Sequence, residues 1–354
     1  MTGARIGGGF LVVGTSGGRE LTAEERSILG EVRPFGVILF RRNVESAGQL
    51  LALTAAIRAA APGTLLFVDA EGGRVDRLAP LAGPAPSGAH LAVAPPGLSL
   101  RTGRWVGHAL RALGFDADFA PVVALDRGST GTGLEGRFLG ARPRAVIARA
   151  RAFLAGLRAA GVGGCVKHFP GMGGTGEDTH HRGSRVALSA AELAADLAPF
   201  RALAAAAGAV MIGHAVYPAL DPSELPADLS PAITGGLLRR DLGFDGVAFS
   251  DDLEMKALDP YGTLAERAGL AFAAGCDAIP ICSRLDAAPE AAERLARAKP
   301  ARRAESARRL AAYRDGILAA RRGAPAYPLE TVRDRLARVR IATTPGADAP
   351  AREV

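Results

Sequence analysis

Eight short, almost continuously apolar runs recur along this chain, each followed by a longer stretch with helical spacing. The runs fall at 9–15 (GFLVVGT), 35–40 (FGVILF), 65–71 (LLFVDAE), 115–123 (FDADFAPVV), 161–168 (GVGGCVKH), 209–216 (AVMIGHAV), 246–251 (GVAFSD) and 277–282 (DAIPIC). They are too short for helices and too uniformly apolar for strands with one wet face, so they read as parallel strands covered on both sides. Helix-like stretches lie between them at 45–60, 98–113, 143–160, 189–206, 229–241 and 263–274. Gly114, Gly161 and Gly275 stand just before strands, where a preceding helix would stop. Eight such units predict an α/β fold, a single-domain (β/α)8 TIM-type barrel over residues 1–299. The competing arrangement is a doubly wound open sheet, but no GxGxxG follows a first strand, and GGGF (7–10) precedes it instead. Residues 300–342 are expected to form a C-terminal helical extension, opening on the amphipathic stretch 300–322, and 343–354 a frayed tail.

Composition narrows the classes of function. With 48% hydrophobic and 22% charged residues among 354, the chain can bury a full core and is not a disordered one. Aromatics are 5% with a single tryptophan, Trp105, which argues against a base-stacking platform for single-stranded nucleic acid. The net charge of +7 is written almost wholly in arginine, the lysines being Lys167, Lys256 and Lys299. That charge is spread along the chain apart from a cluster at 294–322, and no nucleic-acid motif accompanies it, so no nucleic-acid partner is expected. Cys165, Cys276 and Cys282 lack disulfide or zinc-site spacing and are expected to be reduced and buried. The N-terminal apolar run is broken by glycines, and no apolar stretch is long enough to span a bilayer. A cytoplasmic monomer with no membrane partner is expected.

Polar residues gather at the predicted strand ends, where barrels of this kind place their chemistry. These are Asp69 and Glu71, Lys167 and His168, His214, and Asp251 with Asp252. Any one of them could merely cap a helix or pair at the rim; convergence of four such ends on one mouth points instead to a site. VDAEGGRVDRL (68–78) adds Arg74 and Arg77, placed to order the two carboxylates or to grip substrate hydroxyls. KHFPGMGGTGEDTHH (167–181) continues a strand end as a glycine-rich loop suited to act as a lid. It carries Asp178 two residues before His180, and a carboxylate beside an imidazole makes a general acid/base near neutral pH. Lys167 is a lysine in a chain that otherwise uses arginine, which suggests that a compact ammonium is needed there. GVAFSDDLEM (246–255) ends a strand in two aspartates, of which one can face the mouth while the other caps the next element. Residues alone leave two chemistries open: hydrolysis by an aspartate with the Asp–His loop, or a metal-dependent hydrolase drawing on His168, Asp178, His180, His214 and an aspartate. Neither HxH at a first strand nor HExxH is present to favour the metal.

The motifs FGVILFRRN, VDAEGGRVDRL, GFDADFAPVV, GRFLG, KHFPG followed by DTH, GHAVYPALD, LRRDLGFDGVAFSDDLEM and AAGCDAI occur in that order between residues 35 and 279. In these the chain resembles glycoside hydrolase family 3, in particular its single-domain bacterial β-N-acetylglucosaminidases of peptidoglycan recycling. The resemblance implies a (β/α)8 barrel and hydrolysis with retention in two steps. It implies that Asp251 is the nucleophile and that His180, oriented by Asp178, is the general acid/base. It implies that Asp69, Arg77, Arg137, Lys167 and His168 hold the N-acetylglucosamine unit of a small saccharide or muropeptide. No metal and no organic cofactor are implied. Two-domain β-glucosidases of the family carry their acid/base on a second domain, for which residues 283–354 leave no room. The chain departs from the pattern at Met172 and Gly174, where the family has a histidine and an aspartate. It also departs at Ala124, where the family has an aspartate, and at His181, Arg182 and Gly183 after DTH. These departures bear on loop geometry and sugar preference. Met172 and Gly174 leave open a degenerate sugar-binding barrel, a histidine acid/base leaves open a phosphate-using relative, and a β-glucosidase of the same family is the further alternative.

Overall fold

The computed structural model describes residues 3–128, 130, 133–174 and 184–343. Ten strands occur in the described chain: β1 Leu11–Gly14, β2 Gly36–Ile38, β3 Leu65–Val68, β4 Ala70–Gly72, β5 Val75–Asp76, β6 Ala117–Asp118, β7 Val166–Phe169, β8 Ala209–Ile212, β9 Val247–Ser250 and β10 Ile279–Ile281. Each of the eight expected apolar runs meets one, β7 ending one residue past its run. β10-β1-β2-β3-β6 form one parallel ladder and β7-β8-β9 another, with Val13 opposite Val37 and Leu11 opposite Ile279. Isolated parallel bridges join the two. Ala117 pairs with Gly163 and Val122 with Lys167 on one side, and Phe249 pairs with Ala278 on the other. The ring therefore closes on itself as a (β/α)8 barrel, and the open-sheet alternative is excluded. β4 and β5 form a separate antiparallel hairpin at the end of β3.

The fourth barrel strand is shorter than the apolar run 115–123 suggests. β6 ends at Asp118, and beyond it the backbone keeps only single bonds to its neighbours, Phe119 N–H to the Val68 carbonyl at 3.0 Å and Cys165 N–H to the Ala120 carbonyl at 2.9 Å, with Pro121 having no N–H to give and Val122 forming a bridge. Local signals set most helix ends. Ser46, Ser189 and Thr263 cap the helices Ala47–Ala60, Ala190–Ala207 and Leu264–Ala274 through their hydroxyls. Gly114, Gly161 and Gly275 all adopt positive φ where a helix turns back toward the barrel. The stretch at 229–241 becomes the wide-turned helix Pro231–Asp241, closed by Leu242 N–H donating to the Leu237 carbonyl at 2.9 Å.

The barrel interior is packed with phenylalanine. Phe67 stacks on Phe119 at 4.9 Å, and Phe249 meets both edge-on at 5.6 and 5.2 Å. Beneath this layer the long helix Pro300–Gly323 crosses the N-terminal mouth. Its Tyr313 packs on Phe249 at 6.3 Å and donates to the Gly164 carbonyl at 3.2 Å. Gly163 permits this approach, since a Cβ there would lie 2.7 Å from both Ile317 Cδ1 and Tyr313 Oη. Much of the basic cluster at 294–322 is spent on carboxylates just before strands. Fully buried Asp277 receives Arg302 at 3.1 Å, Ser306 at 2.6 Å, Arg309 at 3.4 Å and Arg239 on its other oxygen. Asp116 is shared between Arg321 at 2.6 Å and Arg58 at 2.8 Å. A second helix, Leu329–Thr343, packs on Pro96–Ala112. No helix among the described residues is long and apolar enough to cross a membrane.

Removing one partner of a buried ion network leaves the others desolvated and unpaired. Asp277→Ala is therefore expected to destabilise the protein by about 3–5 kcal/mol, read as a fall in the urea midpoint. An unchanged midpoint would show that the arginine clamp does not hold the C-terminal helix.

Candidate active site

The opposite, C-terminal mouth holds a cavity of about 320 Å³. Asp69, Arg77, Arg137, Lys167, His168 and Asp251 all line it, so six of the eight site residues that the family resemblance implies come together there. The other two, Asp178 and His180, lie outside the described residues. Glu71, Asp252, Met172, Met211, Met255 and Cys282 complete much of the wall.

Strand order explains the convergence. Asp69 and Glu71 follow β3, Lys167 and His168 lie within β7, and Asp251 and Asp252 follow β9. Lys167 is 3% exposed, and its Nζ lies 2.7 Å from Asp69 Oδ1 and 2.7 Å from Glu71 Oε1. Arg137 forks onto the same Glu71, Nε and Nη2 each at 2.8 Å, while its Nη1 donates to the Gly133 carbonyl at 3.1 Å. Arg77 stands 4.0 Å from Asp69. Burial pushes the Glu71 carboxyl up, but Lys167 and Arg137 outweigh it and hold its pKa at about 2. Burial pushes Lys167 down, and Asp69 and Glu71 more than reverse that, so the ammonium stays charged.

Glu71 was visible in the sequence only as one carboxylate of a pair. In the structure it is the anchor of both Lys167 and Arg137. Arg137, expected to hold sugar, has donors on all three of its nitrogens already in use. Through Glu71 it orders the cavity floor.

His168 Nε2 lies 3.9 Å from Asp251 Oδ2. Burial lowers the imidazole pKa to about 3, against the pull of Asp251, so His168 faces the aspartate as a neutral ring near pH 7. Burial pushes the Asp251 carboxyl up, but the charged His214, the Asp252 N–H and Lys167 outweigh this and leave it below the ordinary carboxylate range. It is therefore ionised at neutral pH. The Asp252 N–H donates to Asp251 Oδ1 at 2.9 Å. Asp252 behaves differently: burial and then Glu254 push its pKa up to about 6, and its Oδ1 accepts from the N–H groups of Glu254 at 3.1 Å and Cys282 at 3.3 Å. Both aspartates line the cavity, but Asp252 is committed to the backbone of its own turn and of the neighbouring strand end.

Two of the family departures meet in space. Met172 and Ala124 are buried in one small apolar cluster with Val122, Leu134 and Phe138. Asp126 is exposed and accepts from the Gly128 N–H at 2.9 Å, so it caps a turn and does not line the cavity. At Gly174 a Cβ would lie 2.8 Å from Leu188 Cδ1, so a larger residue there requires that leucine to move. Among the described residues no group of three or more His, Cys, Asp or Glu is arranged to hold a metal ion.

This arrangement offers an ionised carboxylate beside a neutral imidazole, above a floor of fixed, mutually neutralised charges. Such a site can stabilise positive charge at a carbon while binding hydroxyls around it. Comparison with known proteins agrees with that chemistry. The family model described as the glycosyl hydrolase family 3 N-terminal domain matches residues 9–312. A beta-hexosaminidase of Alkalilimnicola ehrlichii is 42% identical over 292 residues, covering 79% of this chain and 82% of that protein. A family 3 beta-N-acetylglucosaminidase structure from Paenibacillus sp. aligns at TM-score 0.86 and 31% identity, over 96% of this chain and 69% of that one. The NagZ structure from Neisseria gonorrhoeae in complex with N-trifluoroacetyl-D-glucosamine aligns at TM-score 0.81 and 33% identity, over 94% and 97%. A barrel closed by eight parallel strands, its mouth lined by these residues, and a family match across most of its length together make this chain a member of glycosyl hydrolase family 3.

Proposed function

We propose that the protein is a retaining exo-β-N-acetylhexosaminidase that removes terminal N-acetylglucosamine from peptidoglycan-derived fragments. The observation that carries this reading is Asp251, ionised and partly accessible in a cavity whose floor is the Asp69–Lys167–Glu71–Arg137 network. The names of the relatives and the N-acetylglucosamine analogue in the gonococcal neighbour support the sugar. A cavity near 320 Å³ suits one sugar unit, which favours cleavage from a chain end.

In the first step an Asp251 oxygen attacks the anomeric carbon, the bond to the leaving oxygen breaks, and His180 gives that oxygen its proton. In the second step His180 takes a proton from water, the water oxygen bonds the anomeric carbon, and the Asp251 ester breaks. Retaining enzymes ordinarily use two carboxyls about 5–5.5 Å apart, and here the second is replaced by the Asp178–His180 pair. Asp69, Lys167, Arg77 and His168 meet the sugar hydroxyls, with Arg137 acting through Glu71. The free, buried cysteines suit a reducing compartment, and this reading takes the protein to be a cytoplasmic monomer acting on muropeptides.

Asp251→Asn should lower turnover of 4-nitrophenyl N-acetyl-β-glucosaminide by roughly 10³-fold or more, since no other ionised group replaces the nucleophile. A fully active variant would refute the assignment, and preference for 4-nitrophenyl β-glucoside would keep the family and overturn the sugar.

The pH profile gives a second test. Because Asp251 is held below the ordinary carboxylate range, kcat/KM should persist on the acid side to below the pH at which an unperturbed aspartate takes up its proton. It should decline on the basic side as His180 loses its proton. His180→Ala should remove the basic limb and depress substrates with poor leaving groups most; equal losses for good and poor leaving groups would contradict an acid role.

A further inference from the structure

A second histidine–carboxylate pair lies behind Asp251, and the mechanism above does not use it. His214 follows β8 at the strand end, and its side chain and that of Asp228 are both fully buried. Its Nε2 lies 2.9 Å from the backbone carbonyl of Asp252. A carbonyl has no proton to give, so Nε2 must be the donor in that bond. On the other side Nδ1 sits 3.0 Å from Asp228 Oδ1, within ion-pair distance though off the line of an N–H···O hydrogen bond. Both ring nitrogens thus face oxygens, and the imidazolium form is the one that offers each a proton. Burial disfavours that cation, but Asp228 outweighs burial and raises the pKa to about 9.

The contacts of the pair end at the nucleophile. Asp251 N–H donates to the Ile212 carbonyl at 2.9 Å, which ties it to β8. The next peptide carries the N–H that Asp252 donates to Asp251 Oδ1, and the carbonyl of Asp252 is the one His214 holds. We infer that His214, held by Asp228, is a positioning residue: it fixes the Asp251–Asp252 turn and sets a buried positive charge beside the Asp251 carboxylate. The inference rests on Asp251 being the nucleophile. Among the described residues, the other titratable or charged groups facing Asp251 are Lys167 and His168 from β7, Cys165 just before that strand, Arg137 from the segment beyond β6, Asp228, Cys282 just after β10, and Asp252 of its own turn. Those facing His214 are Asp228, Asp251 and Asp252. Lys167 and Arg137 are both tied to Glu71, whereas His214 has a contact that reaches the Asp251 turn directly.

The test compares wild type, Asp251→Asn, His214→Gln and Asp228→Asn on 4-nitrophenyl N-acetyl-β-glucosaminide across pH, with urea midpoints recorded for each. His214→Gln keeps a donor for the Asp252 carbonyl and removes the charge, while Asp228→Asn removes the counter-charge. Both should lower kcat by roughly 10–100-fold with KM nearly unchanged, as do losses of orienting partners elsewhere. His214→Gln should also move the acid limb of kcat/KM up toward the ordinary carboxylate range, because Asp251 loses a neighbouring cation. An unmoved acid limb with kcat intact would overturn the role of His214. A dead Asp251→Asn beside an unimpaired His214→Gln overturns this inference alone, whereas an active Asp251→Asn overturns the nucleophile itself. A measurement on the unaltered protein keeps the inference falsifiable if either variant fails to fold. In the imidazole ¹⁵N spectrum at pH 8, at least one of the six histidines should remain doubly protonated, and a spectrum with none overturns it.

Discussion

The ammonium of Lys167, set 2.7 Å from each of two carboxylates, is the interaction on which the mouth of this barrel depends. An isolated charge at that depth would cost several kcal/mol. Two acids and two bases, Asp69 and Glu71 with Lys167 and Arg137, form a set that is neutral overall and bonded throughout. That is the condition under which such groups can be buried together. The choice of lysine follows from the geometry. One compact, rotatable donor head meets two carboxylates from one strand end, whereas the planar fork of an arginine suits a single carboxylate, as Arg137 does on Glu71. With its floor fixed by internal bonds, the cavity presents Asp251 to a substrate without having to reorganise.

The same device works differently at the two ends of the barrel. At the N-terminal end, Asp277 and Asp116 are saturated by five arginines, all on helices outside the strand layer and three of them on Pro300–Gly323, and the result is a clamp for that helix. At the C-terminal end the charges are paired, but Asp251 keeps an oxygen toward the cavity and His168 faces it as a neutral ring. Barrels divide stability and chemistry between their faces in this way. Here the division is written in the same residue types, and what separates the two faces is whether every partner is already taken.

The periodic parts of this fold are legible in the sequence because the cause is local. Apolar runs of strand length, glycines at positive φ and hydroxyl caps act over a few residues, and the eight strands follow from them. The strand-end residues Asp69, Lys167, His168 and Asp251 were legible because barrel topology turns strand ends into a site. Partners that depend on long-range packing were not. Nothing in its local pattern marks Asp228, in a turn, as the counter-charge of His214, or Glu71 as the anchor of Arg137. The helix Gly3–Gly8 is composed against helix propensity and forms where Gly7 meets the Ala292 backbone so closely that a Cβ would clash. Met172 and Ala124 read as two separate departures along the chain and become one apolar cluster only in three dimensions. Asp178 and His180 rest on sequence resemblance, and their place in the reaction is part of the proposal.

The central claim is that Asp251 becomes covalently bonded to the sugar. The direct measurement is to trap that species with a 5-fluoro glycosyl fluoride of N-acetylglucosamine, digest the protein and locate the adduct by mass spectrometry. The account predicts one sugar per chain, carried on Asp251 within the 246–255 segment. An adduct on Asp252, Asp69 or Glu71, or release of fluoride with no residue labelled, would contradict it.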